Sequence, residues 1–72
     1  MPDSVYKVIE LVGSSEISWE DAAAKAVEAA SKSLHGLRIA EVKALDLKVD
    51  ENGKVIAYRA KIDVSFKLDA EV

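Results

Sequence analysis

An α+β fold with the element order β-α-β-β is predicted by three features of the sequence. A Val- and Ile-rich run ends in a Gly/Ser cluster, an alanine-rich segment with capping signals follows it, and two alternating apolar runs flank an Asn-Gly pair.

The first strand is read from Val5 to Val12 (VYKVIELV), stopping at Gly13-Ser14-Ser15. β-branched residues suit a packed, pleated surface, and a Gly/Ser cluster breaks it. Apolar residues occupy both parities, which predicts cover on both faces of this strand. The helix then begins at Ser18. Ser18 and Asp21 have capping-box spacing, with Asp a shorter partner than Glu or Gln. Glu20 and Asp21 place negative charge in the first turn, where the helix dipole favours it. Trp19, Ala22, Ala23, Ala26, Ala30 and Leu34 follow the three-and-four spacing of one face, while Lys25, Glu28 and Lys32 populate the other. His35-Gly36 marks the end, with Gly36 placed for the left-handed C′ conformation. A stripe that is mostly alanine permits close approach to a sheet but buries little area per residue, so Trp19 and Leu34 are expected to supply much of the packing.

The remaining two strands form a long hairpin, Leu37 to Val49 pairing with Lys54 to Leu68 across Asp50-Glu51-Asn52-Gly53. Asn-Gly is a strong hairpin signal because both residues tolerate positive φ. In the last strand Ile56, Tyr58, Ala60, Ile62, Val64, Phe66 and Leu68 form one face, with Arg59, Lys61, Asp63, Ser65 and Lys67 on the other. In the preceding strand the apolar parity changes between Val42 and Leu45, which predicts a bulge or bend there.

Strands of this length overshoot the chain's own core. About 15 residues span roughly 50 Å, whereas a compact domain of this size has a radius of gyration of about 11 Å. The apolar ends Leu45-Leu47-Val49 and Val64-Phe66-Leu68 are therefore expected to stand exposed unless another subunit covers them. Composition points the same way. The chain has 72 residues and no cysteine, and one this short buries only about 60% of its unfolded surface, so a partner or staple is usually required. A single His without Cys excludes the common zinc layouts. A net charge of −3, with both signs interspersed, argues against nucleic acid as a partner. The apolar-rich run from Asp21 to Ala30 is interrupted by Lys25 and Glu28 and is too short to span a bilayer. Met-Pro-Asp-Ser lacks the features of a signal peptide, which leads to the expectation of a cytoplasmic protein.

Four strings in this order, VYKVIELVGSS, SWEDAAAKAV, LRIAEV and VSFKLD, cover nearly the whole chain and resemble the dodecins. The resemblance implies a three-stranded antiparallel sheet wrapped around one helix, a hollow homododecamer with cubic symmetry, and storage of flavins (FMN, FAD or riboflavin) without catalysis. It also identifies departures. Flavin-binding members have a flavin-stacking Trp where this chain has Ile39, and a flavin-bonding Gln where it has Arg59. The loss of an aromatic platform and of the amide's paired donor and acceptor weakens flavin binding, so the resemblance implies binding or storage of a small flavin-type ligand with the stacking Trp replaced, or alternatively a calcium-binding assembly without flavin. With the SWE and YR strings, these changes resemble a calcium-associated subgroup of the family.

Ile39 and Arg59 are thus the candidate ligand-binding residues, since Arg beside an apolar surface can hold an anionic group by a bidentate contact. Calcium takes six to eight oxygens, and Asp46 and Asp50, with the Asn52 carbonyl, are the candidate metal ligands. Glu16, Glu20 and Asp21 form a second acidic group at the helix start, where capping already accounts for Asp21. Trp19 is read as a core or interface residue and His35 as a helix-end residue. No nucleophile motif surrounds any Ser, and the three glycines are too scattered for a phosphate loop. No enzymatic activity is expected.

Overall fold

The computed structural model describes residues 4–68 and contains the four expected elements: β1 (Tyr6–Ser15), α1 (Trp19–Ser33), β2 (Leu37–Val49) and β3 (Val55–Lys67). They form one antiparallel sheet in the order β1-β3-β2, so the last strand is central and the helix lies across one face.

β1 runs three residues past the expected stop, through the Gly/Ser cluster, pairing Gly13 with Ala60 and Ser15 with Tyr58. The reason is contact with the helix. A Cβ on Gly13 would lie 2.1 Å from the Ala22 carbonyl oxygen and 2.9 Å from the Ala26 Cβ, so glycine here admits a helix rather than ending a strand. Side by side, Gly13 and Ala60 form a shallow seat for the Ala22-Ala26-Ala30 stripe.

The core is correspondingly thin. Ala22, Ala26, Ala60, Ile62 and Val64 are buried, with Ile9, Leu11, Ala23, Val27 and Leu37 packed around them. Ile62 and Val64 are the largest fully buried side chains; sheet residues, not Trp19 and Leu34, supply most of the packed volume. Both of those are half-buried. Leu34 is not a helical residue at all: it is the C-cap, in extended conformation, its N–H bonded to the Ala30 carbonyl at 2.9 Å. The helix thus ends earlier than expected, and Gly36 takes its positive φ of 75° two residues beyond the cap.

The capping box is half formed. The Asp21 N–H donates to Ser18 Oγ at 3.0 Å, but the Asp21 carboxylate turns away to accept from Ser15 Oγ at 2.6 Å. The buried Ser15 hydroxyl also receives the N–H groups of Ile17 at 2.9 Å and Ser18 at 3.4 Å. One hydroxyl therefore organises the whole β1–α1 connection, satisfying backbone donors that helix starts leave unpaired.

The predicted bulge is present. Val42 faces Ile62 and Ala44 faces Lys61, leaving Lys43 as an extra residue. Two further irregularities occur, at Arg38 in β2 and opposite Lys48 and Val49, where β3 carries the extra Ile56. The hairpin loop also differs from the two-residue form. Asp50 N–H bonds the Lys54 carbonyl at 2.8 Å and Gly53 N–H bonds the Asp50 carbonyl at 2.9 Å. Glu51, Asn52 and Gly53 are thus a three-residue loop in which Gly53 alone has positive φ (79°).

The described residues extend 56 × 20 × 16 Å with a radius of gyration of 15.1 Å, well above the roughly 11 Å of a compact chain this size. Leu45, Leu47 and Val49 are exposed as expected, but Val64 is fully buried and Phe66 half-buried, because α1 covers that end of the sheet. Cover on both faces of β1 is not supplied within one chain: Ile9, Leu11 and Gly13 face the helix, whereas Val8 and Val12 remain exposed.

Candidate functional site

Pairing across the sheet fixes what the face away from the helix presents. Three rungs matter there: Val8–Ser65–Ile39, Glu10–Asp63–Glu41 and Ser14–Arg59–Asp46. Ile39 and Arg59 share this face but not a locus. Ile39 is opposite Ser65, six residues along β3 from Arg59, which at strand spacing is about 20 Å. A single chain therefore does not form a site from both residues. Ile39 is 63% exposed and borders a groove of about 160 Å³ with Val27, Leu37, Arg38, Ala40 and Val64.

Arg59 is engaged by Asp46. Its Nε and a terminal guanidinium nitrogen donate to the two carboxylate oxygens of Asp46 at 2.7 and 2.9 Å, a bidentate fork. The Arg59 hydrogen bonds hold the Asp46 carboxyl below its ordinary value, and Asp46 in turn raises the guanidinium. The candidate anion-binding Arg and the candidate metal-binding Asp are thus each other's partners, a coupling legible only once the hairpin register places residues 46 and 59 opposite each other.

Asp50 is also occupied within the chain. Its Oδ1 accepts from the N–H groups of Asn52 at 2.8 Å and Lys54 at 2.9 Å, the self-capping typical of Asp at a turn. At the helix start, Ser15 and then Lys25 (Nζ at 3.3 Å) hold Asp21 below its ordinary value. Among the described residues no three or more acidic, His or Cys side chains are arranged to hold a metal ion. Calcium requires more oxygens than any one of these places supplies, so the residues of one chain do not fit a complete calcium site.

Two features lay outside the sequence reading. Glu10, Asp63 and Glu41 stand on one rung, with Lys43 Nζ 4.0 Å from both Asp63 and Glu41. Only the strand order reveals this alignment, since the three positions are far apart in sequence. Trp19, expected as a core or interface residue, packs edge-on against Tyr58 with centroids 5.3 Å apart. Its indole N–H donates to the Asp46 carbonyl at 3.0 Å.

No helix among the described residues is long and apolar enough to cross a membrane. Comparison with known proteins agrees with the fold. The chain is 52% identical over 65 residues to calcium dodecin of Mycobacterium tuberculosis, covering 90% of each protein. Its structure matches the crystal structure of that calcium-chelating immunodominant antigen, described as having a novel calcium-binding site, with a TM-score of 0.80 and 48% identity over 96% of this chain and 97% of the other. Dodecin from Streptomyces coelicolor superposes with a TM-score of 0.87 at 28% identity, over 99% of this chain and all of that one. The dodecin family model spans residues 5–69. With strand order, helix placement and sequence in agreement over nearly the full length, this chain belongs to the dodecin family.

Proposed function

We propose that this protein is a non-catalytic subunit of a hollow homododecamer, and that the assembled particle binds calcium between subunits rather than flavin. The observation that carries the reading is the uncovered apolar surface of a chain extended to 56 Å. Leu45, Leu47, Val49, Val8 and Val12 are exposed on an elongated fold whose buried apolar residues, among those described, are five alanines with Ile62 and Val64. Copies of the same chain are the cover that the family membership supports.

For the ligand, the support is the absence of a stacking ring at Ile39 and the commitment of Arg59 to Asp46, together with the similarity to a calcium dodecin. Asp46 and Asp50 are the carboxylates we assign to calcium, completed by oxygens from a neighbouring subunit. A second reading, a small flavin-type ligand, is favoured by the apolar groove beside Ile39. Sedimentation velocity with an absorbance scan from about 300 to 500 nm separates these at once. A colourless species near twelve times 7.8 kDa, with a melting temperature that rises with calcium and falls with chelator, is the expected result. A monomer at micromolar concentration overturns the assembly. A yellow dodecamer favours flavin, and indifference to calcium removes the metal.

A further inference from the structure

Trp19 opens α1, and it touches both strands of the hairpin at adjacent rungs. Its ring meets Tyr58 of β3 at 5.3 Å and an interplanar angle of 73°, and its Nε1–H bonds the Asp46 carbonyl of β2 at 3.0 Å. Tyr58 pairs with Leu47, and Arg59 with Asp46. Past these rungs Val49, Val55 and Ile56 are exposed, as is Leu47 on the Tyr58 rung, and Ala57 is there the one buried apolar residue among those described. Just before them the ladder is interrupted by the extra Lys43, and a bulge bends and twists a strand locally. The outgoing arm therefore needs a second constraint to hold one direction.

We propose that Trp19 is that constraint, a positioning residue that fixes the angle at which the distal hairpin leaves the core and so the geometry in which copies meet. The inference rests on the reading of the chain as a self-assembling subunit. The rung is gripped from two sides: the indole holds the Asp46 backbone, while Arg59 separately holds its carboxylate at 2.7 and 2.9 Å. Only the first grip ties the arm to the helix. The second joins β2 to β3 within the arm and cannot set its angle against the core.

Those two grips are separable by substitution. Trp19→Phe keeps a ring against Tyr58 but removes the N–H donor. Asp46→Ala removes the carboxylate but leaves the carbonyl that Trp19 uses. Sedimentation velocity across a dilution series, with far-ultraviolet circular dichroism on the same samples, reads assembly and fold together. Trp19→Phe is expected to raise the half-dissociation concentration about five-fold or more, the fold-change of one lost hydrogen bond, with an unchanged spectrum. In chelator, where the calcium assigned to this carboxylate contributes nothing, Asp46→Ala is expected to leave it within about two-fold of wild type in the same buffer, the scale of an exposed ion pair. An assembled wild type with an unmoved Trp19→Phe variant overturns this inference alone, and so does an equal shift in Asp46→Ala. Loss of the helix and strand signal in Trp19→Phe overturns it too, by making Trp19 a residue of the fold. A wild type that stays monomeric throughout overturns the assembly reading, and the inference with it.

Discussion

Replacing Gly13 with alanine adds one methyl group at the tightest helix–sheet contact in the chain. Its φ is not in the left-handed region, so backbone strain does not enter and the effect is steric. The new Cβ would sit 2.1 Å from the Ala22 carbonyl oxygen and 2.9 Å from the Ala26 Cβ. The first obstacle is helix backbone and cannot rotate aside, so α1 must retreat by about 1 Å, a gap that forfeits a quarter to a half of each affected contact. Because the seat is made of Ala22, Ala26, Ala60, Ile62 and Val64, no long side chain reaches across the gap to refill it. Overpacking typically costs 1–3 kcal/mol, and the upper end, about 3 kcal/mol, is expected here. For a domain of this size that corresponds to a drop in melting temperature of roughly 12–24 °C. Thermal melts of wild type and Gly13→Ala at matched subunit concentration test it, since assembly links stability to concentration. A Gly13→Ala protein that melts within about 3 °C of wild type would refute the claim that glycine is there to admit the helix.

Ser15→Ala leaves the Ile17 and Ser18 N–H groups without their acceptor and should cost about 1–2 kcal/mol in urea unfolding at neutral pH; an unchanged midpoint would remove Ser15 as organiser of the β1–α1 connection. Asp21 and Asp46 both have folded-state values below the ordinary 3.8. Their contribution is therefore fully present above that value and is lost as pH falls through it towards the folded values. Melting temperature should accordingly decline below about pH 4, less steeply in an Asp21→Asn, Asp46→Asn double variant, and a parallel decline would assign the acid sensitivity elsewhere. Leu47→Asp, on an exposed position of the arm, should abolish assembly while leaving the helix and strand spectrum of the monomer intact; an assembled Leu47→Asp particle would place the interface elsewhere.

What the sequence made legible follows from which signals are local. The helix start was readable because Ser18 caps a donor three residues away, and the Lys43 bulge because the apolar parity of β2 changes between Val42 and Leu45. Gly13 was misread as a stop because its meaning depends on Ala22 and Ala26, which reach it only in three dimensions. The same limit applies to the site. Ile39 and Arg59 were named as candidates from single positions, but their separation along β3, and the pairing of Arg59 with Asp46, required the register. The Asn52-Gly53 signal located the hairpin, but the side chain of Asp50, bonding two N–H groups across the loop, selected the three-residue form. Any oxygens that a second copy would supply to the proposed calcium site are carried by no local pattern in one chain.

The irregularities of β2 have a further consequence for how copies of this chain can add to one another. β2 is an edge strand, and such an edge normally offers an unpaired ladder that any extended segment can join. Here the extra residues Arg38 and Lys43 interrupt that ladder twice within thirteen residues. Each interruption throws the following N–H and C=O groups out of step with a regular incoming strand. A second chain laid along β2 would stay in step for only a few residues before losing its bonds. Growth of the sheet across its β2 edge, a route to fibres, is thus blunted at the backbone level. At that edge a second copy would have to be held by exposed side chains such as Leu45 and Leu47, whose fit depends on angle and does not extend the ladder.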